Sequence, residues 1–124
     1  MEQRFYVCEC CGKIVAMVKP SACPTMCCGQ AMKEIVPNTT DAAQEKHVPV
    51  WTREGNLVKV QVGSVAHPMV AAHYIEWVSL QTKAGNQRKA LSPEQAPEVA
   101  FAITEGDEVE AVYAYCNLHG LWKA

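Results

Sequence analysis

Six of the seven cysteines fall within residues 8–28, and this crowding constrains the fold more than any other feature. A segment of about 36 residues is too short to bury a self-sufficient core and needs a staple. The cysteine count is odd, so a closed set of disulfides does not account for all seven. In a reducing compartment, clustered thiols more often bind metal than pair with one another. Bound metal is therefore the expected staple. "RFYVCEC" and "KIVAMV" read as short strands around a cysteine turn. "PTMCCGQAMKEIV" supplies a second turn, with Gly29 just after a vicinal cysteine pair.

Cys8-x-x-Cys11 followed by Cys27-Cys28 offers four thiolates in two pairs. Such a set suits zinc or a single iron. Neighbouring residues of an extended chain point to opposite sides, so Cys27 and Cys28 serve one ion only if the backbone bends between them. Cys10 competes with Cys8 and Cys11, and Cys23 competes with Cys27. The two-residue spacing favours Cys8, Cys11, Cys27 and Cys28 as ligands, with Cys10 and Cys23 as spare thiols.

Beyond residue 36 the composition changes. "PNTTDAAQEK" (37–46) is polar and turn-rich and reads as a linker. "NLVKVQVGSV" alternates apolar and polar residues with period two. "YIEWVSLQT", "EVAFAIT" and "EVEAVYAYC" are further short runs rich in β-branched and aromatic residues, and "TKAGNQRKALSPEQAPE" reads as a long loop. These features predict a mainly β chain: a metal-stapled N-terminal domain over 1–36 and a β-sandwich over 37–124. His47, His67, His73, Cys116 and His119 lie in this second part. Four histidines and a cysteine in turn-like settings predict a mononuclear site for iron, copper or zinc. His67 and His73 would stand about 20 Å apart along a continuous strand, so 67–73 must be a compact loop. Cys116-x-x-His119 likewise needs a turn, which Gly120 helps to supply.

The formal net charge of −2, with both signs mixed along the chain, argues against a nucleic-acid-binding protein. No apolar run is long enough for a membrane helix. "MEQRFYVCEC" carries no leader pattern, and the expected compartment is the cytoplasm.

Taken together, "YVCECCGKIV…MCCGQAMK", "EKHVPV", "VGSVAHPM…HYIEW" and "YCNLHGLWKA" resemble desulfoferrodoxin, the two-iron superoxide reductase family, over nearly the whole chain. The resemblance implies a desulforedoxin-like domain with one iron on Cys8, Cys11, Cys27 and Cys28, followed by an immunoglobulin-like β-sandwich. It implies a second iron with His47, His67, His73 and His119 in a plane and Cys116 on the axis. It further implies one-electron reduction of superoxide to hydrogen peroxide, electrons from rubredoxin or a similar donor, and a homodimer.

Superoxide is an anion and the chain is slightly acidic, so local positive charge must attract it. Lys46 is the candidate and matches the family's catalytic lysine. The resemblance gives Glu45 the role of a ligand to the ferric iron after product leaves. In an extended segment Lys46 would point away from His47, so it must reach the site from a non-extended or mobile loop. The amides of Leu118 and His119 are expected to bond to the Cys116 sulfur and tune it.

Overall fold

The computed structural model describes residues 2–124. The chain divides into two compact units, Met1–Val36 and Pro37–Ala124. In the first unit, β1 (Phe5–Val7) pairs antiparallel with β2 (Ile14–Ala16) and β5 (Lys33–Glu34). A separate hairpin joins β3 (Met26–Cys27) to β4 (Gln30–Ala31). Its two-residue turn is Cys28-Gly29, with φ of 53° and 74°. Both residues have positive φ, as a type I′ turn requires, and the turn matches the right-handed twist of the flanking strands. The first unit's buried apolar side chains are Phe5, Cys8 and Met32. That is too little apolar burial to offset the cost of ordering so many residues.

In the second unit, seven strands among the described residues build two sheets, in the orders β10-β7-β6 and β12-β11-β8-β9. The strands are β6 (Pro49–Glu54), β7 (Leu57–Val62), β8 (Ile75–Thr82), β9 (Asn86–Ala90), β10 (Glu98–Ala102), β11 (Val109–Cys116) and β12 (Gly120–Lys123). The alternation of β7 puts Val58, Val60 and Val62 inside. They pack with Ile75, Val78, Leu80, Phe101 and Val112. Each contributes roughly 1.5–3 kcal/mol relative to exposure, so this unit, unlike the first, carries a core of ordinary size.

Three strands depart from the sequence reading. β9, "NQRKA", is exposed along its whole length and polar, yet it pairs with β8 from Trp77↔Ala90 to Gln81↔Asn86. An exposed edge strand needs no apolar alternation, so this part of the expected long loop carried no signal. β6 is exposed at every position after Pro49 and is likewise an edge. β12 follows the Cys116–His119 turn and pairs back on β11, Cys116 facing Gly120, so the turn is a hairpin loop rather than the end of the sheet. The stretch read as a linker is also anchored. Asn38 accepts a hydrogen bond from the Lys123 amide at 2.9 Å and donates one to the Lys123 carbonyl at 3.1 Å. The short helix α1 (Gln44–His47) closes the stretch.

Candidate metal centres

Each sulfur of the first cluster is placed by a turn. Cys8 ends the β1 arm, and its carbonyl accepts the Gly12 amide at 2.8 Å. Gly12, at φ 80°, lets the chain double back so that Cys11 faces Cys8. Cys27 ends β3, and left-handed Cys28 supplies the bend that two adjacent ligands require. The four sulfurs lie within 4.8 Å of one another. Cys11 and Cys27 are 3.7 Å apart, Cys27 and Cys28 3.9 Å. Four sulfurs about 2.3 Å from one ion at tetrahedral corners stand about 3.8 Å apart, so the cluster fits a single tetrahedral ion.

Its electrostatics point the same way. The Cys11 amide, helped by that of Cys10, pulls the Cys8 thiol down to about 6. Contact with the Cys10 thiol, then with Cys11, Cys8 and Cys27, pushes Cys28 up to about 12. Four crowded thiols do not all ionise beside one another; a bound cation removes that obstacle. Cys10 and Cys23 are exposed, free and outside the four-sulfur set.

The second cluster gathers side chains from three distant stretches. His47 comes from the last turn of α1. His67 and His73 come from the β7–β8 connection, where Val70 and His73 exchange backbone hydrogen bonds at 3.1 and 3.0 Å and make the loop compact. Cys116 and His119 come from the β11–β12 hairpin, where Gly120 has φ 79°. One ligand atom each from His47, His67, His73 and Cys116 lie within 4.8 Å of one another. His119 adjoins this set, its Nδ1 3.2 Å from His47 Nε2 and 3.8 Å from Cys116 Sγ.

The four imidazoles form a closed ring. Neighbouring centroids are 4.7 Å (His47–His67), 4.6 Å (His67–His73), 5.1 Å (His73–His119) and 5.0 Å (His119–His47) apart, and the His47–His73 diagonal is 6.4 Å. Neighbouring planes cross at 76–86°. His47 Nε2 and His67 Nε2 are 3.2 Å apart. Nitrogens about 2.1 Å from a common ion at neighbouring corners of a square stand about 3 Å apart. His73 Nε2 is buried with no hydrogen-bond partner, an arrangement that costs free energy unless a cation takes the lone pair.

The surrounding groups prepare these donors. His47 Nδ1 donates to the Ala43 carbonyl at 2.7 Å and His67 Nδ1 to that of Pro68 at 2.6 Å, which fixes the tautomer that leaves each Nε2 free. Burial pushes His47, His67 and His73 below the usual histidine value, His67 to about 4. Cys116 is fully buried, and burial pushes its thiol up, opposed by the amides of Leu118 and His119, which bond to the sulfur as expected. Trp122 stacks on His47 at 4.8 Å and donates its indole N–H to the His119 carbonyl at 3.1 Å. Nothing in the local sequence marks Trp122 for this contact with two site residues. Tyr115 instead stacks on Trp77 at 5.5 Å.

Glu45 and Lys46 occupy exposed positions of α1. The backbone at this point is helical rather than extended, and the Lys46 charge bears on both His47 and His73. The Glu45 carbonyl anchors the helix by accepting the Val65 amide at 2.9 Å and the Ser64 hydroxyl at 3.3 Å. Gly63 lies under the same turn, and a Cβ there would come within 2.6 Å of the Glu45 carbonyl oxygen. Sequence reasoning passed over Gly63 because a single glycine near a strand end carries no specific signal.

The chain is similar to known proteins over nearly its whole length. A desulfoferrodoxin homolog of Archaeoglobus fulgidus is 49% identical over 96% of this chain and 94% of its own length. The desulfoferrodoxin of Nitratidesulfovibrio vulgaris is 46% identical over 99% of this chain and 96% of its own. The crystal structure of the superoxide reductase from Treponema pallidum superposes with a TM-score of 0.85 at 43% identity, covering 100% of this chain and 99% of that one. The two clusters, four thiols in one and imidazoles with a thiol in the other, fit the two iron centres of desulfoferrodoxin. With the desulfoferrodoxin family model also matching residues 39–124, the chain belongs to the desulfoferrodoxin family.

Proposed function

We propose that the chain is a superoxide reductase that converts superoxide to hydrogen peroxide by one electron and two protons. The observation that carries this reading is the closed ring of four imidazoles beside a buried, amide-bonded cysteine. His47, His67, His73, His119 and Cys116 are the proposed ligands of the second iron. Cys8, Cys11, Cys27 and Cys28 hold the first. Bound ferrous iron supplies the electron and a place for superoxide to bind. The chain's own residues set the conditions. The Leu118 and His119 amides stabilise the Cys116 sulfur as thiolate against the effect of burial. Burial disfavours the protonated form of His47, His67 and His73, which favours lone pairs available to a cation.

Lys46 is the proposed attractor of the anion, supported by its exposure on α1 and by the reach of its charge to His47 and His73. Glu45, next to it, is the proposed carboxylate that meets the oxidised centre once peroxide has left. Two domains over 1–36 and 37–124 are proposed, supported by the two compact units. A cytoplasmic location is proposed, supported by cysteines that form no disulfide among the described residues. Rubredoxin or a similar one-electron carrier is the proposed donor. A homodimer is proposed as well; the exposed apolar side chains of Val50 and Trp51 on edge strand β6 support it.

Pulse radiolysis of the reduced, iron-loaded protein tests the central reading. Superoxide should disappear in a fast second-order step, yielding peroxide without dioxygen. Lys46→Ala should slow that step by about tenfold and flatten its dependence on salt. An unchanged rate and salt slope would remove Lys46 from its role. Dioxygen release would remove the reductase reading.

A further inference from the structure

We infer that Asn117 is a positioning residue for the second metal centre: its side chain holds the backbone on both sides of His73 and so sets that imidazole against Cys116. The inference rests on reading His73 and Cys116 as ligands. His47 and His67 are each steered by a ring N–H bonded to a carbonyl, at 2.7 and 2.6 Å. Bonds of this kind fix a ligand's orientation. His73 has none among the described residues, and its Nε2 is buried without a hydrogen-bond partner. The aim of this ring must therefore come from its backbone.

That backbone is held by Asn117. Its Oδ1 accepts the Tyr74 amide at 2.9 Å, and its Nδ2 donates to the Ala72 carbonyl at 3.0 Å. Its own amide donates to the Tyr74 carbonyl at 3.2 Å. The last regular pair between β8 and β11 is Ile75 with Cys116, after a register shift. Asn117 adds one more rung beyond it, and the carboxamide extends that rung past His73. The residue that follows Cys116 thus holds the loop of His73. Only a side chain offering both an acceptor and a donor at this length makes both contacts. Aspartate keeps the acceptor and loses the donor; alanine loses both.

The test uses the full, iron-loaded chain with Asn117→Ala, Asn117→Asp and His73→Ala. Readouts are the rate of iron release to a chelator, the sulfur-to-iron absorption band of the second centre, and the melting temperature. The four-cysteine centre of the same molecule serves as internal reference. Asn117→Ala should release the second iron tenfold or more faster and move its band, with the first centre unchanged. Asn117→Asp should fall between alanine and the native residue, and it carries the test alone if the alanine variant does not fold. Release and band within twofold of native in these variants would overturn the inference. So would parallel loss of both irons with a lowered melting temperature, which marks a general structural support. If His73→Ala itself leaves release and band unmoved, the ligand reading fails instead.

Discussion

Cys10 and Cys11 are neighbours in sequence, yet the structure separates their roles. Cys11 Sγ lies in the four-sulfur set, and the Cys10 thiol stays outside it against Cys28. Replacing Cys11 with serine should therefore remove one of two irons per chain and its visible absorption, whereas Cys10→Ser should keep both. Iron analysis with absorption spectra checks this, and equal loss from both variants would reverse the assignment. The Cys-x-x-Cys spacing made this choice legible, since only a two-residue gap lets the turn carry both sulfurs to one side. The vicinal pair was legible only as a requirement for a bend. That Cys28 meets it with a left-handed φ of 53° is decided by the hairpin around it. At the second centre the ligand types were readable and their supports were not. A carbonyl behind His47 or the Trp122 ring against it has no signature in the local sequence. The Leu118 amide is a separate case, because the spacing of "CNLHG" already suggested it. Leu118→Pro removes that donor from the Cys116 sulfur. It should shift the sulfur-to-iron band, and an unmoved band would show that this amide does not tune the sulfur.

Helix α1 shows why short elements escape a reading by pattern. It has four residues and no side-chain cap, in a polar stretch that resembles a linker. What holds it is tertiary: the Glu45 carbonyl accepts two bonds from residues 64 and 65, and the turn rests on Gly63. An added methyl at Gly63 would meet the Glu45 and Val48 carbonyl oxygens at 2.6 and 2.9 Å. These are backbone atoms, so relief requires α1 itself to move. Gly63→Ala should cost about 1–3 kcal/mol of stability and slow the superoxide reaction by displacing Lys46. Denaturant unfolding and pulse radiolysis measure the two effects separately. The β8–β9 hairpin depends on a different device. Asp107 accepts hydrogen bonds from the Thr82 hydroxyl at 2.7 Å, the Ala84 amide at 3.1 Å and the Glu108 amide at 2.8 Å. These bonds, the Thr82 one foremost, hold its carboxyl below the usual range. A carboxyl depressed in the folded state contributes stability above the unfolded value of about 3.9, and loses it as pH falls through the lower folded value. Asp107→Ala should thus lower the urea midpoint at pH 7, with the gap to the native protein closing below about pH 4. A gap independent of pH would show that the charge has no part in it.

The two units are held together by different means, and this sets how the whole molecule responds to metal removal. The second unit buries a continuous apolar cluster from Val58 through Val112 and Ala114. The first buries Phe5, Cys8 and Met32, and its remaining order comes from short strands and exposed ion pairs such as Arg4–Glu34 at 2.7 Å. Exposed pairs of that kind contribute roughly 0–1 kcal/mol. A structural ion on four thiolates contributes on the order of 10 kcal/mol to a small domain, far more than these contacts. This imbalance was legible from the start, in six cysteines within a segment too short for a core. Stripping both irons with a chelator under reducing conditions should therefore split the chain's behaviour. Amides of β1, β2 and β5 should lose their protection from hydrogen exchange, while those of β7, β8 and β11 keep theirs. Exchange read by mass spectrometry on peptides from each unit gives the answer directly. Retained protection across residues 5–34 of the stripped chain would mean that its few contacts suffice to fold it, and that the thiol cluster is there for its electron rather than for its grip.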